Sequence, residues 1–220
     1  MIQIAPSMAS APFLHLAHVI QDLEAAGADV IHFDIEDGTF VPMMTLGTRI
    51  IGELRPLTRL PFDVHLMMRT PDWIIPEVIS LGANWVSVHY EACPYPHRAL
   101  RLIRKLGARA GLAFNPKTPL PDLRYLCRYL DFVLILTTEP EYPDADFLPE
   151  VLHKVRDGRK MLGQRSVDWV VDGGITTENI GEAVRAGANV IVVGRSVFRN
   201  GAIAENLAAL RAAAITSISI

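Results

Sequence analysis

Eight short apolar runs recur along this chain, at residues 2–5, 30–33, 62–66, 85–88, 110–114, 132–136, 169–171 and 190–193. Each is rich in β-branched or aromatic residues and too short for a buried helix. Each is therefore expected to be a strand covered on both faces, as parallel strands are. Longer stretches with apolar residues at helical spacing lie between them, at 13–26, 72–81, 97–106, 120–130, 147–162, 177–186 and 202–213. Gly-Ala pairs beginning at Gly27, Gly82, Gly107 and Gly187 stand where a helix would end and the next strand begin. A glycine there takes the left-handed conformation that closes a helix. The separations of 55, 25 and 80 residues fit two, one and three units of about 27 residues. Eight such units fill the 220 residues, which predicts a single (β/α)8 barrel domain over residues 1–220. An open doubly wound sheet shares the alternation, but it usually has fewer strands and often a glycine-rich first turn, and neither is seen here.

Composition narrows the function. Half of the residues are hydrophobic, 20% are charged, and mean hydropathy is +0.24, so a large core is available and a disordered chain is excluded. The formal net charge of −3 offers no basic excess for a nucleic-acid backbone. Cys93 and Cys127 form no paired motif, so reduced thiols in a reducing compartment are expected. No apolar run approaches the roughly 20 residues that span a bilayer, and the first residues lack the basic and apolar regions of a signal peptide. A cytoplasmic protein without membrane partners is the expectation.

In a barrel of this kind the active site lies at the C-terminal ends of the strands. Those ends read Ser7, His32 with Asp34, His65, His89 with Glu91, Asn115, Thr137, Asp172 and Gly194. His32 and Asp34 are two apart on a strand and so face the same way. With His65 and Asp172 they would place two imidazoles and two carboxylates on the barrel axis, a set that suits one divalent ion such as Zn2+, Fe2+, Mn2+ or Co2+. Taken singly, each is equally a hydrogen-bonded loop residue. Asp37, before Gly38, reads as a turn residue. The seventh and eighth strands end in Asp172-Gly173-Gly174 and Gly194-Arg195-Ser196, where loops of this fold bind phosphate through backbone N–H groups. Arg195 adds a cation.

Several of these stretches belong to an ordered set of motifs: Ala5-Pro6-Ser7, His32-Phe33-Asp34, Asp37-Gly38-Thr39-Phe40-Val41-Pro42, Asp63-Val64-His65-Leu66-Met67, His89-Tyr90-Glu91, Asn115-Pro116-Lys117-Thr118-Pro119, Phe147-Leu148-Pro149-Glu150 and Val171-Asp172-Gly173-Gly174-Ile175. In that order they resemble the ribulose-phosphate 3-epimerase family over nearly the whole chain. The resemblance implies a ribulose-phosphate-binding type of TIM barrel. It also implies a metal-dependent isomerase that interconverts D-ribulose 5-phosphate and D-xylulose 5-phosphate, with a small sugar phosphate as partner. By the same resemblance His32, Asp34, His65 and Asp172 would bind the metal, and Asp34 and Asp172 would be the two acid/base groups. Ser7, His65 and Met67 would lie at the sugar, and Gly173, Gly174, Gly194 and Arg195 at the phosphate. Members of the family commonly form homo-oligomers.

The chain departs from that family at several places. Glu36 stands where the family usually has Met, Met43 where it has Asn, and Leu136 where it has Met. Glu36 either shares the inward face of Asp34 or points to solvent past the strand end. The loop after the sixth strand, residues 139–146, holds no glycine, two prolines and four acidic residues, where the family has a glycine-rich stretch that touches phosphate. Three alternatives follow. One is a paralogue acting on another ketose phosphate, for example an allulose 6-phosphate 3-epimerase. Another is a sugar-phosphate lyase, against which the third strand lacks the Asp-x-Lys-x-x-Asp lysine. The last is a barrel that binds sugar phosphate without turnover.

Overall fold

In a computed structural model that describes residues 2–140 and 146–217, the apolar runs form eight parallel strands. They are β1 (Gln3–Pro6), β2 (Ile31–Glu36), β3 (Phe62–Met67), β4 (Trp85–His89), β5 (Arg109–Phe114), β6 (Phe132–Leu136), β7 (Asp168–Asp172) and β8 (Val190–Val193). Pairing runs β1-β8-β7-β6-β5-β4-β3-β2. A parallel bridge between Ser7 and His32 joins the two ends, so the sheet curls into a nearly closed barrel.

Because side chains alternate along a strand, each strand feeds two cores. Phe33, Val64, Val88, Leu112, Ile135 and Val171 pack outward in one cluster with helix residues such as Leu23, Ile103 and Leu207. Full burial of one such side chain contributes about 1.5–3 kcal/mol, and this layer holds the helices on the barrel. Ala5, Met67, Trp85, Ala113, Phe132, Leu134, Val170 and Val192 point inward and fill the interior. Aromatic rings plug its N-terminal end. Trp85 and Phe132 lie 5.5 Å apart, and Gly111 makes room for them, since a Cβ there would fall 2.2 Å from the Phe132 ring. Arg109 stacks on Trp85 and pairs with Asp168. The polar inward residues are thereby left at the opposite, C-terminal rim.

The helices are α1 (Leu16–Ala25), α2 (Arg49–Leu54), α3 (Ile75–Ser80), α4 (Pro96–Lys105), α5 (His153–Leu162), α6 (Ile180–Ala186), α7 (Arg195–Phe198) and α8 (Ile203–Thr216). The Gly-Ala pairs close four of them as expected. At α6, Gly187 N–H donates to the Val184 carbonyl and Ala188 N–H to Ala183, with Gly187 at φ +107°. The same paired bonds follow α1, α3 and α4. Two segments differ from expectation. Residues 120–130 form a single 3-10 turn, Leu123–Tyr125, rather than a helix. Pro121 disfavours the helical backbone at Leu120, and Asp122 instead accepts a bond from Arg124 N–H. Conversely, α2 spans six residues, too few to show a periodicity. Among the described residues, no helix is long and apolar enough to cross a membrane.

Candidate active site

The strand register assembles the rim. Asp34 on β2 stands opposite His65 on β3, Ser7 bridges to His32, and Asp172 ends β7. Asp34 Oδ1 lies 3.0 Å from His32 Nε2 and 3.1 Å from His65 Nδ1. Asp172 Oδ2 lies 3.7 Å from His32 Nε2. One ligand atom from each of the four residues falls within 4.8 Å of all the others. Ser7 Oγ donates to Asp34 Oδ2 at 2.9 Å.

The two carboxylates are held in opposite electrostatic states. Burial pushes Asp34 up, but the paired imidazoles of His32 and His65 overcome it and hold the carboxyl well below its ordinary value. Asp172 is pushed up to about 6, first by burial and then by the charge of Asp34. His32 is raised despite its burial, because Asp34 and Asp63 face it from two sides. Near neutral pH the aspartates are thus poised apart, one firmly ionised and one within reach of protonation.

The donor set fits a divalent metal. His32 and His65 have no exposed surface, so water does not compete for their ring nitrogens. Asp63 Oδ2 lies 2.8 Å from His32 Nδ1 and accepts the proton there, so Nε2, which faces the cluster, is the atom a metal would take in exchange for its proton. Cys93 and Cys127 are outside it, so ligation would be by nitrogen and oxygen alone.

Asp34, Asp172, Ser7 and Met67 line a cavity that also reaches Gly173, Gly174, Gly194 and Arg195. The residues expected at the metal, the sugar and the phosphate are therefore brought to one place, with His32 and His65 behind the aspartates. Gly173 adopts φ +120°, and a Cβ there would meet Thr138 N at 2.9 Å, so the chain passes too closely for any side chain. Thr137 fastens the same turn by donating to the Gly173 carbonyl at 2.7 Å. Glu36 faces inward and lines the cavity, with Oε2 accepting from Thr45 N at 2.7 Å. Asp37 makes the turn, accepting from the N–H groups of Thr39, Phe40 and Arg69. Of the acidic loop, residues 141–145 lie outside the described residues. The role of Asp63 was not read from the sequence. Its signal was the two-residue spacing to His65, which places both on the inward face of β3.

A barrel whose C-terminal rim opens onto two carboxylates, set over two buried imidazoles and beside a glycine-bordered turn, is an enzyme of the TIM-barrel class. The chain belongs to the ribulose-phosphate 3-epimerase family, an isomerase family whose profile, Ribulose-phosphate 3 epimerase family, matches residues 3–198. It is 42% identical over 201 residues to the ribulose-phosphate 3-epimerase of Bacillus subtilis, covering 90% of this chain and 93% of that one. It is 43% identical over 214 residues to that of Synechocystis, covering 96% and 93%. Among solved structures it is similar in fold to 3-keto-L-gulonate-6-phosphate decarboxylase from Vibrio cholerae. There the TM-score is 0.72 at 14% identity, over 98% of each chain.

Proposed function

We propose that the chain is a divalent-metal-dependent ketose-phosphate 3-epimerase acting between D-ribulose 5-phosphate and D-xylulose 5-phosphate. The observation that carries this reading is the meeting of Asp34 from β2 and Asp172 from β7 at one cavity wall, within 4.8 Å of two buried imidazoles. Inverting a carbon next to a ketone needs a proton removed on one face and another returned on the opposite face. Two carboxylates from different strands do this without the substrate turning over. Asp34, held ionised, takes the C3 proton in one direction, and Asp172, within reach of protonation, gives a proton to the other face when it carries one. The roles exchange in reverse. Ser7 orients Asp34 through its hydrogen bond. His32, Asp34, His65 and Asp172 would hold Zn2+, Fe2+, Mn2+ or Co2+. When bound, such an ion supplies a Lewis acid that polarises the ketone and offsets the negative charge developing beside it. Gly173, Gly174, Gly194 and Arg195 line the part of the cavity suited to the phosphate.

One observation favours a second reading, a paralogue for another ketose phosphate such as allulose 6-phosphate. The Glu36 carboxylate lines the cavity where the family usually places methionine. A lyase is disfavoured, because the inward residues of β3 are Asp63, His65 and Met67, with no lysine. Incubating the metal-loaded protein with ribulose 5-phosphate and, separately, allulose 6-phosphate decides between the readings. Faster conversion of ribulose 5-phosphate is expected. A preference for the hexulose phosphate supports the paralogue, and conversion of neither overturns both.

A further inference from the structure

The turn after β1 lies beside the turn after β8. The two strands pair up to Pro6 and Val193, and Ser7 N–H continues the ladder by donating to the Val193 carbonyl at 3.0 Å. The chain then folds at once into a 3-10 turn, Met8–Ser10, with Ser10 N–H on the Ser7 carbonyl and the Met8 side chain fully buried. Ser10 is thereby brought against Gly194, the residue after β8. A Cβ on Gly194 would fall 2.5 Å from Ser10 Oγ and 3.4 Å from Ser10 Cβ. The serine hydroxyl thus fills the space that a side chain at 194 would take, and both residues line the cavity.

That hydroxyl is also uncommitted. Five hydroxyl side chains line the cavity: Ser7, Ser10, Thr138, Thr176 and Ser196. Ser7 donates to Asp34, Ser196 to the Ile175 carbonyl at 2.9 Å and Thr138 to the Glu139 carbonyl at 3.4 Å. Thr176 Oγ1 accepts from Glu178 N–H at 3.2 Å. Among the described residues, none bonds Ser10 Oγ. Its proton is therefore available to a molecule in the cavity. Gly194 borders the part of the cavity suited to the phosphate, together with Gly173, Gly174 and Arg195. A hydroxyl there meets oxygens that only accept, and bonds to an ionised acceptor are the stronger kind. We propose that Ser10 is a substrate-binding residue that donates to a phosphate oxygen, and that position 194 is glycine so that this hydroxyl can stand there. This rests on the reading of the chain as a ketose-phosphate epimerase.

The pair makes a prediction that neither residue makes alone. Ser10→Ala removes the donor and no bond within the protein. In Gly194→Ala the new Cβ occupies the place of the hydroxyl, which rotates away about χ1. The 3.4 Å approach between the two Cβ atoms is an ordinary contact, so the fold is kept while the donor leaves its position. Any other cost of alanine at 194, to its backbone or to the phosphate directly, is the same with and without the Ser10 hydroxyl and cancels in a double-mutant cycle. The effect of Ser10→Ala should therefore vanish in a Gly194→Ala background.

The test is steady-state kinetics of the metal-loaded wild type, both single variants and the double variant with ribulose 5-phosphate, together with thermal-shift titration of each protein with inorganic phosphate. Ser10→Ala should raise KM about tenfold, the scale of one hydrogen bond to a charged group. Its kcat should stay within about twofold, because the lost bond serves ground and transition states alike. It should weaken inorganic phosphate binding by a similar factor and leave the melting temperature without phosphate unchanged. Adding Ser10→Ala to Gly194→Ala should change neither KM nor phosphate affinity further. A loss from Ser10→Ala that repeats in the Gly194→Ala background, a fall in kcat with KM unchanged, or wild-type phosphate affinity in Ser10→Ala overturns the proposal. A wild type that binds no inorganic phosphate also overturns it. A wild type that does not convert ribulose 5-phosphate, while its affinity for inorganic phosphate still falls in Ser10→Ala, overturns the epimerase reading instead.

Discussion

Replacing Asp172 with asparagine should abolish turnover and at the same time stabilise the metal-free protein. The Asp172 carboxyl titrates at about 6 in the fold, against an ordinary value of 3.8, because it is buried beside Asp34. The folded state therefore holds this proton more tightly than the unfolded chain does. That contribution is complete below about pH 4 and is lost as pH rises through about 6. At roughly 1.4 kcal/mol per pH unit the displacement amounts to about 3 kcal/mol at pH 8. Asparagine escapes this loss, so chelated Asp172→Asn should be about 3 kcal/mol more stable than chelated wild type at pH 8. The two should converge near pH 4. For a chain of this length that is a rise of roughly 6–12 °C in melting temperature. Zinc should then reverse the ranking. A ligand at 1,000 times its dissociation constant adds about 4.1 kcal/mol to a protein that binds it, which exceeds that gap, and the variant lacks one ligand. Urea unfolding of both proteins at pH 4 and 8, with chelator and with zinc, makes the comparison. Equal stability at pH 8 without metal, or a variant retaining wild-type turnover, would refute the reasoning.

Two further predictions concern the loops and the cysteines. Gly173→Ala should raise KM for the sugar phosphate more than tenfold in steady-state kinetics, since φ +120° and the 2.9 Å approach to Thr138 N force the turn to move. Cys93 is buried and its thiol is pushed up to about 11 by burial and by Asp72, so it should resist a maleimide at pH 8 in the native protein and react once the chain is unfolded.

Much of the site was legible because its signals are local. His32 and Asp34 share a face by the two-residue period of a strand, and Gly187 ends a helix through its own φ. What was not legible depends on pairing between strands. That Asp63 stands beside His32, and that His89 meets His65, follows from the register of β2 with β3 and from the curl of the sheet. No single strand carries that information. Residues 120–130 misled for a different reason. Their apolar spacing is helical, yet Pro121 disfavours the helical backbone at Leu120, and Leu123, Leu126 and Leu130 are buried from a turn instead. Glu36 was open between two orientations, and the β2 alternation that continues through it settled the inward one.

The proposed turnover rests on metal-dependent proton exchange at one carbon by two carboxylates. The most direct test follows deuterium at C3 during conversion of ribulose 5-phosphate in D2O, with the protein as purified, after chelation, and after zinc is restored. The expected result is a product carrying solvent deuterium at C3, formed by the purified and restored proteins but not by the chelated one. Product without deuterium at C3, or an unchanged rate after the metal is removed, would contradict it.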